Sequence, residues 1–600
     1  MTEAGTGADA RDMADHRFWR AHWLIGTLVA WALVSCVTLL AKWQSVMALG
    51  LGDTDDNLRL AQVRAWLDGQ GWYDLRQYHL APPEGADIHW SRLPDLPIAA
   101  IDLLLTPVVG AEMAERWAVA LAPLIPFAIG LIALALIARR LVAPHAWPLA
   151  LLAACCAGIL MPMWMPLRID HHGWQLALLA VALAGLADPR PARGGVTSGI
   201  ASALSLAIGL EMLIFLALIG GATALFWVRS QEHARRIAAY GASLAGGSGI
   251  AFLIFASEAN RAPVCDALSP VWLSAVAAAG AALALLSLTR NERWVVRLML
   301  AGIAGALIAI GFALLWPDCL GRPEGVSPEL QALWLDNVQE ARPIWRQDWQ
   351  KALIVIALPL SGLAGYAIGL WRARTDMARF APLLALAAMA VMSILLLFWQ
   401  VRTAPAAQLL AVPGAALLGM AIIPPMRRSG QMLVRVFGTV AAIGVMTGLW
   451  AVVPIAMVPD ADAAESEASD TAEADCGSLE AMAALDRLPP ATIVAPVDLS
   501  PRLIVGTHHN AIAGPYHRNG EAMMDVFEGL GGNEARLRET VERYSASYVL
   551  ICPGMKGDWL YGVEDEGRTF NRLVSDDAPS WLVSVALPEG SPYRLWRVVE

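Results

Sequence analysis

Two short runs hold the residues best suited to chemistry: Gly52-Asp53-Thr54-Asp55-Asp56-Asn57-Leu58-Arg59 and Arg168-Ile169-Asp170-His171-His172. Asp53, Asp55 and Asp56 crowd like charges together, which raises carboxylate pKa values unless a cation neutralises them. Asp170 and His172 stand two apart, so a turn can aim both side chains at one ion. Carboxylate oxygen with imidazole nitrogen suits a divalent cation, Mn²⁺ or Mg²⁺, and the histidine favours Mn²⁺. Asp53, Asp170 and His172 are therefore the candidate metal ligands. Asp53, Asp55 and Asp56 are the candidates to orient or deprotonate an acceptor nucleophile. The plainer alternative for the first run is a helix start near Asn57, since aspartate favours helix N-termini.

Both runs must be carried by membrane-spanning elements. Of the 600 residues, 57% are hydrophobic and only 16% are charged, which excludes an ordinary globular enzyme. The net charge of −10 says little about partners, because charge follows topology. Apolar stretches near 24–42, 112–137, 143–163, 174–187, 196–209, 212–228, 237–256, 271–288, 297–315, 351–371, 379–399, 404–422 and 433–458 predict about thirteen helices. Arg139 and Arg140, Arg190 and Arg193, Arg235 and Arg236, Arg290 and Arg293, Arg372 and Arg374, and Arg427 and Arg428 fall in alternate loops. Placing these loops inside obeys the positive-inside rule, and an odd helix count sends the C-terminus to the other face. The expected fold is thus a polytopic α-helical membrane protein of a bacterial inner membrane. Residues 1–23 form a cytoplasmic N-terminus, with the first span an uncleaved anchor. Residues 24–458 form the membrane domain, whose long first periplasmic loop covers 43–111. An acidic linker, 459–476, leads to a small periplasmic α/β domain over 477–600, where β-branched runs alternate with helical stretches. Both chemical runs then lie on the periplasmic side, where charged groups at a membrane border read as a site.

Cys265, Cys319, Cys476 and Cys552 all fall on that oxidising side, so Cys265–Cys319 and Cys476–Cys552 are the expected pairs. His508 in Thr507-His508-His509-Asn510, and His517 and Arg518 in Gly514-Pro515-Tyr516-His517-Arg518, are candidates to contact acceptor or sugar from the tail. Glu211 falls between two short spans and could line the same cavity, or serve as a structural carboxylate. Asp87, His89 and Arg92 of the first loop could bind phosphate or sugar, or simply anchor the loop beside Trp90. Without a P-loop or a GxGxxG turn a nucleotide donor is not expected, nor is a nucleic-acid partner.

The runs resemble motifs of the GT-C superfamily of membrane glycosyltransferases, most of all the catalytic subunit of oligosaccharyltransferase. Asp53, Asn57 and Arg59 match the spacing of that family's first-loop motif, and Asp170-His171-His172 aligns with its second acidic motif, with His172 in place of an acid. Val401-Arg402 is similar to the site where the family sets an arginine against the donor diphosphate. The resemblance implies thirteen helices, a C-terminal periplasmic domain, a metal ligand at Asp53, and phosphate contacts from Arg402, with Arg168 and Arg59 as further candidates. Glu340 stands where the family's acceptor-binding glutamate would be. Asp498, in Pro496-Val497-Asp498-Leu499-Ser500, is the remnant of a Trp-Trp-Asp-Tyr-Gly motif that has lost both tryptophans. That departure argues against glycosylation of Asn-x-Ser/Thr sequons. The expected activity is inverting, metal-dependent transfer of a sugar or oligosaccharide from a polyprenyl phosphate or diphosphate to a glycan, lipid or protein acceptor. The alternative is a transporter or flippase of lipid-linked glycans.

Overall fold

The computed structural model describes residues 20–458, 469, 471–472, 475–555, 557–562 and 567–599. Most of the expected N-terminal segment and acidic linker lies outside them. Among the described residues, eight helices are long and apolar enough to cross a membrane, or nine if the pair Val434–Thr447 and Leu449–Met457, bent by 100°, counts as one span. The chain is a membrane protein. Four of the stretches expected as spans do not meet that test: Trp147–Cys155, His172–Leu186, Pro191–Ile208 and Leu213–Arg229. Three of these helices are short, and the fourth, Pro191–Ile208, is diluted by Gly, Ser and Arg193.

Two helix crossings use glycine for close approach, as membrane helices do where van der Waals packing must supply the attraction. A Cβ at Gly365 would run into the Gly414 carbonyl, where Trp349–Ala373 crosses Ala404–Arg427. A Cβ at Gly195 would likewise meet the Arg236 carbonyl, where Pro191–Ile208 crosses Ala234–Phe255.

The outer part begins with the helix Thr54–Leu67 and a small antiparallel pair, β1 (Arg76–Gln77) and β2 (Ala86–Asp87). The tail holds a five-stranded sheet of β3 (Thr492–Val494), β4 (Asn510–Ala511), β5 (Tyr548–Ile551), β6 (Leu582–Ser584) and β7 (Arg594–Val598), in the order β4-β3-β5-β7-β6. β3 runs parallel to β4 and β5, whereas β7 is antiparallel to β5 and β6. Tyr548–Ile551 is buried throughout, as a central strand covered on both faces must be. Disulfides join Cys476 to Cys552 and Cys265 to Cys319, the expected pairing.

The tail is docked firmly on the first loop. Arg64 donates to the Val505 carbonyl at 2.6 Å and grips Glu115 through two bonds. Arg502 donates to the Leu49 carbonyl at 2.9 Å, and the Ala81 amide donates to the carbonyl of Ile512 at 3.0 Å. The tail and the segment after the first span are therefore held together as one surface.

Candidate functional site

Asp53 is the N-cap of Thr54–Leu67 and accepts from the Asp55 amide at 3.0 Å, so the capping alternative holds alongside any chemical role. Its other oxygen receives Arg168 Nη1 at 2.5 Å. Arg168 also reaches Asp56 at 3.3 Å and, through Nη2, Asp170 at 2.7 Å. One guanidinium thus pulls together carboxylates from runs more than a hundred residues apart. The Asp170 amide donates to Asp56 at 2.9 Å and locks the two turns in register. Asp170 then holds His172 through the backbone amide and Nδ1, both at 3.0 Å.

These carboxyls are pushed in opposite directions. Burial, and then the adjacent Asp53, raise Asp55 to about 8. Burial lifts Asp56 well above the ordinary range despite Arg168. Burial also acts on Asp170, but there Arg168 and His172 outweigh it and hold the carboxyl below the ordinary range. Asp170 is compensated, whereas the positive charge near Asp55 and Asp56 does not offset their burial. A site with that imbalance favours an added cation. The carboxylate and imidazole donors of Asp53, Asp170 and His172 fit a divalent ion chemically, although in the metal-free arrangement Arg168 fills the space between the two aspartates.

Beside this cluster His171 is buried and stacked on His172, with ring centroids 4.5 Å apart. Its Nε2 meets Glu211 at 2.6 Å, and Gln175 donates to the other Glu211 oxygen at 2.8 Å. Ser205 in turn donates to Gln175 at 2.6 Å, which fixes Glu211 from behind. Arg402 pairs with Glu340 at 2.8 Å and lies within electrostatic range of Glu211. Its buried Nε has no hydrogen-bond partner among the described residues. Tyr516 reaches in from the tail, donating its hydroxyl to the Thr54 carbonyl at 2.9 Å and packing edge-on against Trp90. Asp498 acts electrostatically on the same Tyr516.

Other candidates lie elsewhere. Arg59 is buried in an ion pair with Asp95 at 2.5 Å and stacks 4.6 Å over Trp90, so it braces the first loop and does not face a donor phosphate. Arg92 spends its donors on the carbonyls of Gln62 and Asp74, the anchoring role. His508 is held by Asp486 and the Leu488 carbonyl, both at 2.8 Å, within the tail. His517 and Arg518 form a separate junction with Asp266, described below. Sequence reasoning missed His171 and Tyr516 as members of the site, although both stand inside runs already singled out. It had no signal for Asp266, a lone acid beside a cysteine.

No family model and no curated protein matches this sequence. Solved structures do. The oligosaccharyltransferase AglB of Archaeoglobus fulgidus, in complex with an inhibitory peptide and a dolichol-phosphate, superposes with a TM-score of 0.68 at 16% identity, covering 92% of this chain and 72% of that one. The same enzyme in complex with Zn and sulfate gives 0.61 at 14% identity, covering 92% and 71%. ArnT of Cupriavidus metallidurans bound to undecaprenyl phosphate gives 0.46 at 14% identity, covering 96% and 97%. The superposition on AglB shows that the chain shares the fold of that oligosaccharyltransferase.

Proposed function

We propose that this protein is a glycosyltransferase of the bacterial inner membrane. It moves a sugar or oligosaccharide from a polyprenyl phosphate or diphosphate to a periplasmic glycan, lipid or protein acceptor, with inversion and without sequon recognition. The observation that carries this reading is the convergence of Asp53, Asp56 and Asp170 on Arg168 at the outer mouth of the bundle. The fold shared with AglB, bound there to dolichol-phosphate and to a peptide, supports it.

Asp53, Asp170 and His172 would hold a divalent cation, Mn²⁺ or Mg²⁺, which when bound supplies charge neutralisation at a leaving phosphate. Arg168, displaced from the carboxylates, and Arg402, with its unpartnered Nε, would bind phosphate oxygens. Asp55 stands beside Asp53, and the positive charge of a bound cation would lower its raised carboxyl into the ionised form that accepts a proton from the acceptor hydroxyl or amide. Tyr516 and Asp498 bring the tail to the same point, so the acceptor enters between tail and first loop.

The test is a Mn²⁺ titration of purified protein against Asp53→Ala and Asp170→Ala, paired with sugar transfer from a polyprenyl-linked donor. Saturable binding lost in both variants, with transfer down by about 10²-fold or more, is the expected result. Transfer at wild-type rate in a folded Asp170→Ala variant overturns the metal-dependent reading. Donor movement across vesicles without transfer favours the transporter.

A further inference from the structure

A second polar junction lies apart from the acidic cluster and joins three segments distant in sequence. His89 comes from the first loop, Asp266 from the stretch after the helix Ala234–Phe255, and His517 from the tail; one ligand atom of each lies within 4.8 Å of the other two. We propose that this junction is a second metal site, taking a borderline divalent ion such as Zn²⁺ through two imidazole nitrogens and one carboxylate oxygen.

The donor set is the first argument. Two imidazoles with one carboxylate suit Zn²⁺ far better than Mg²⁺, and three protein ligands leave a fourth position for water. The supporting shell is the second. Arg518 grips Asp266 through two bonds of 2.7 Å, Nε to Oδ2 and Nη2 to Oδ1. Asn260 accepts from Arg518 at 2.7 Å and donates to the His89 carbonyl at 3.0 Å, so one amide steadies both the carboxylate's partner and the backbone of a ligand. Cys265, adjacent to Asp266, is tied to Cys319. Fixed ligands of this kind are what raise metal affinity.

Charge is the third argument. Arg518 alone would oppose a cation, but it also binds Asp87 at 3.1 Å. Two carboxylates against one guanidinium leave the junction one negative charge when both imidazoles are neutral. His517 Nε2 faces Asp266 Oδ2 at 2.7 Å. When an ion binds there, the neutral ring carries its single proton on Nδ1, which frees the Nε2 lone pair with no net proton lost. The ion would fasten the tail to the membrane domain at a point where it otherwise rests on hydrogen bonds.

This inference does not depend on transferase activity, and its test does not read it. Full-length protein is purified in detergent, stripped with chelator, loaded with Zn²⁺ and desalted. X-ray absorption at the zinc edge is expected to report two imidazoles and oxygen ligands without sulfur. His517→Gln and Asp266→Asn are expected to weaken zinc binding by about tenfold or more, while Asp170→Asn in the acidic cluster leaves this ion in place. Wild-type protein that retains no zinc, or retains it with a single imidazole, overturns the proposal and leaves a hydrogen-bonded staple. Zinc lost in Asp170→Asn but kept in His517→Gln overturns it too, by assigning the ion to the acidic cluster.

Discussion

The helices His172–Leu186 and Trp294–Leu315 are both apolar, yet they are built for opposite surroundings. The second has 22 residues, and no residue of its apolar window is buried, with Leu307 65% and Leu314 77% accessible. It is a lipid-facing span whose buried member, Arg297, donates to the Val228 carbonyl. The first has 15 residues and is buried along most of its length. At about 1.5 Å per residue it rises roughly 22 Å, short of a hydrocarbon core about 30 Å thick. A helix wrapped by other helices need not match the bilayer, so its ends are free to carry polar groups. Its outer end begins at His172, and just beyond its inner end Asp188 receives Arg140 and Arg193 while Arg236 covers the last carbonyls. The helix that carries the candidate site is thus one that hydropathy reads poorly.

Substitutions can break that contrast. The largest effect is expected at Asp188, which is 3% exposed and gathers Arg140 and Arg193. Asp188→Ala leaves the half-buried Arg140 without its carboxylate, while Arg193 turns to solvent, and should cost about 3 kcal/mol, read by denaturant unfolding in detergent. Gly365→Ala comes next. Its new Cβ meets backbone at Gly414, which has no rotamer to yield, and should cost about 1–3 kcal/mol in the same assay. On the exposed helix the sign reverses. A Cβ at Gly302 or Gly305 meets nothing within 4 Å, so alanine there should stabilise by up to about 1 kcal/mol by helix propensity alone. A loss at Gly302 or Gly305 as large as that at Gly365 would show that the exposed face is covered by a partner and not by lipid. A smaller effect sharpens the site itself: Asp55→Asn relieves like-charge crowding beside Asp53 and should raise the melting temperature of metal-free protein while reducing the further rise on adding Mn²⁺.

Much of the site was legible because its chemistry is local. Asp53, Asp55 and Asp56 share one helical turn, and Asp170 and His172 share one bend, so residue type and spacing marked both runs. Arg59 shows the limit. Its spacing from Asp53 matched a functional motif, yet Asp95, 36 residues on, holds it in the loop core. Arg168 stood in the right run, but only the fold reveals that its guanidinium spans three carboxylates from two loops. His517 and Arg518 looked like acceptor contacts because they follow a Gly-Pro turn; their partner Asp266 lies some 250 residues away.

Composition and the periodicity of apolar stretches determined that this chain enters a membrane, because hydrocarbon penalises every unpaired polar group in the same way wherever it falls. The four cysteines outside the apolar spans suggested disulfides, but they allow three pairings, and the fold chose between them. The tertiary structure alone decided how many helices are long enough to span, which acids share a cation, and where the tail docks. Those outcomes depend on groups that meet through space, and the energy of such meetings leaves no trace in the spacing along the chain.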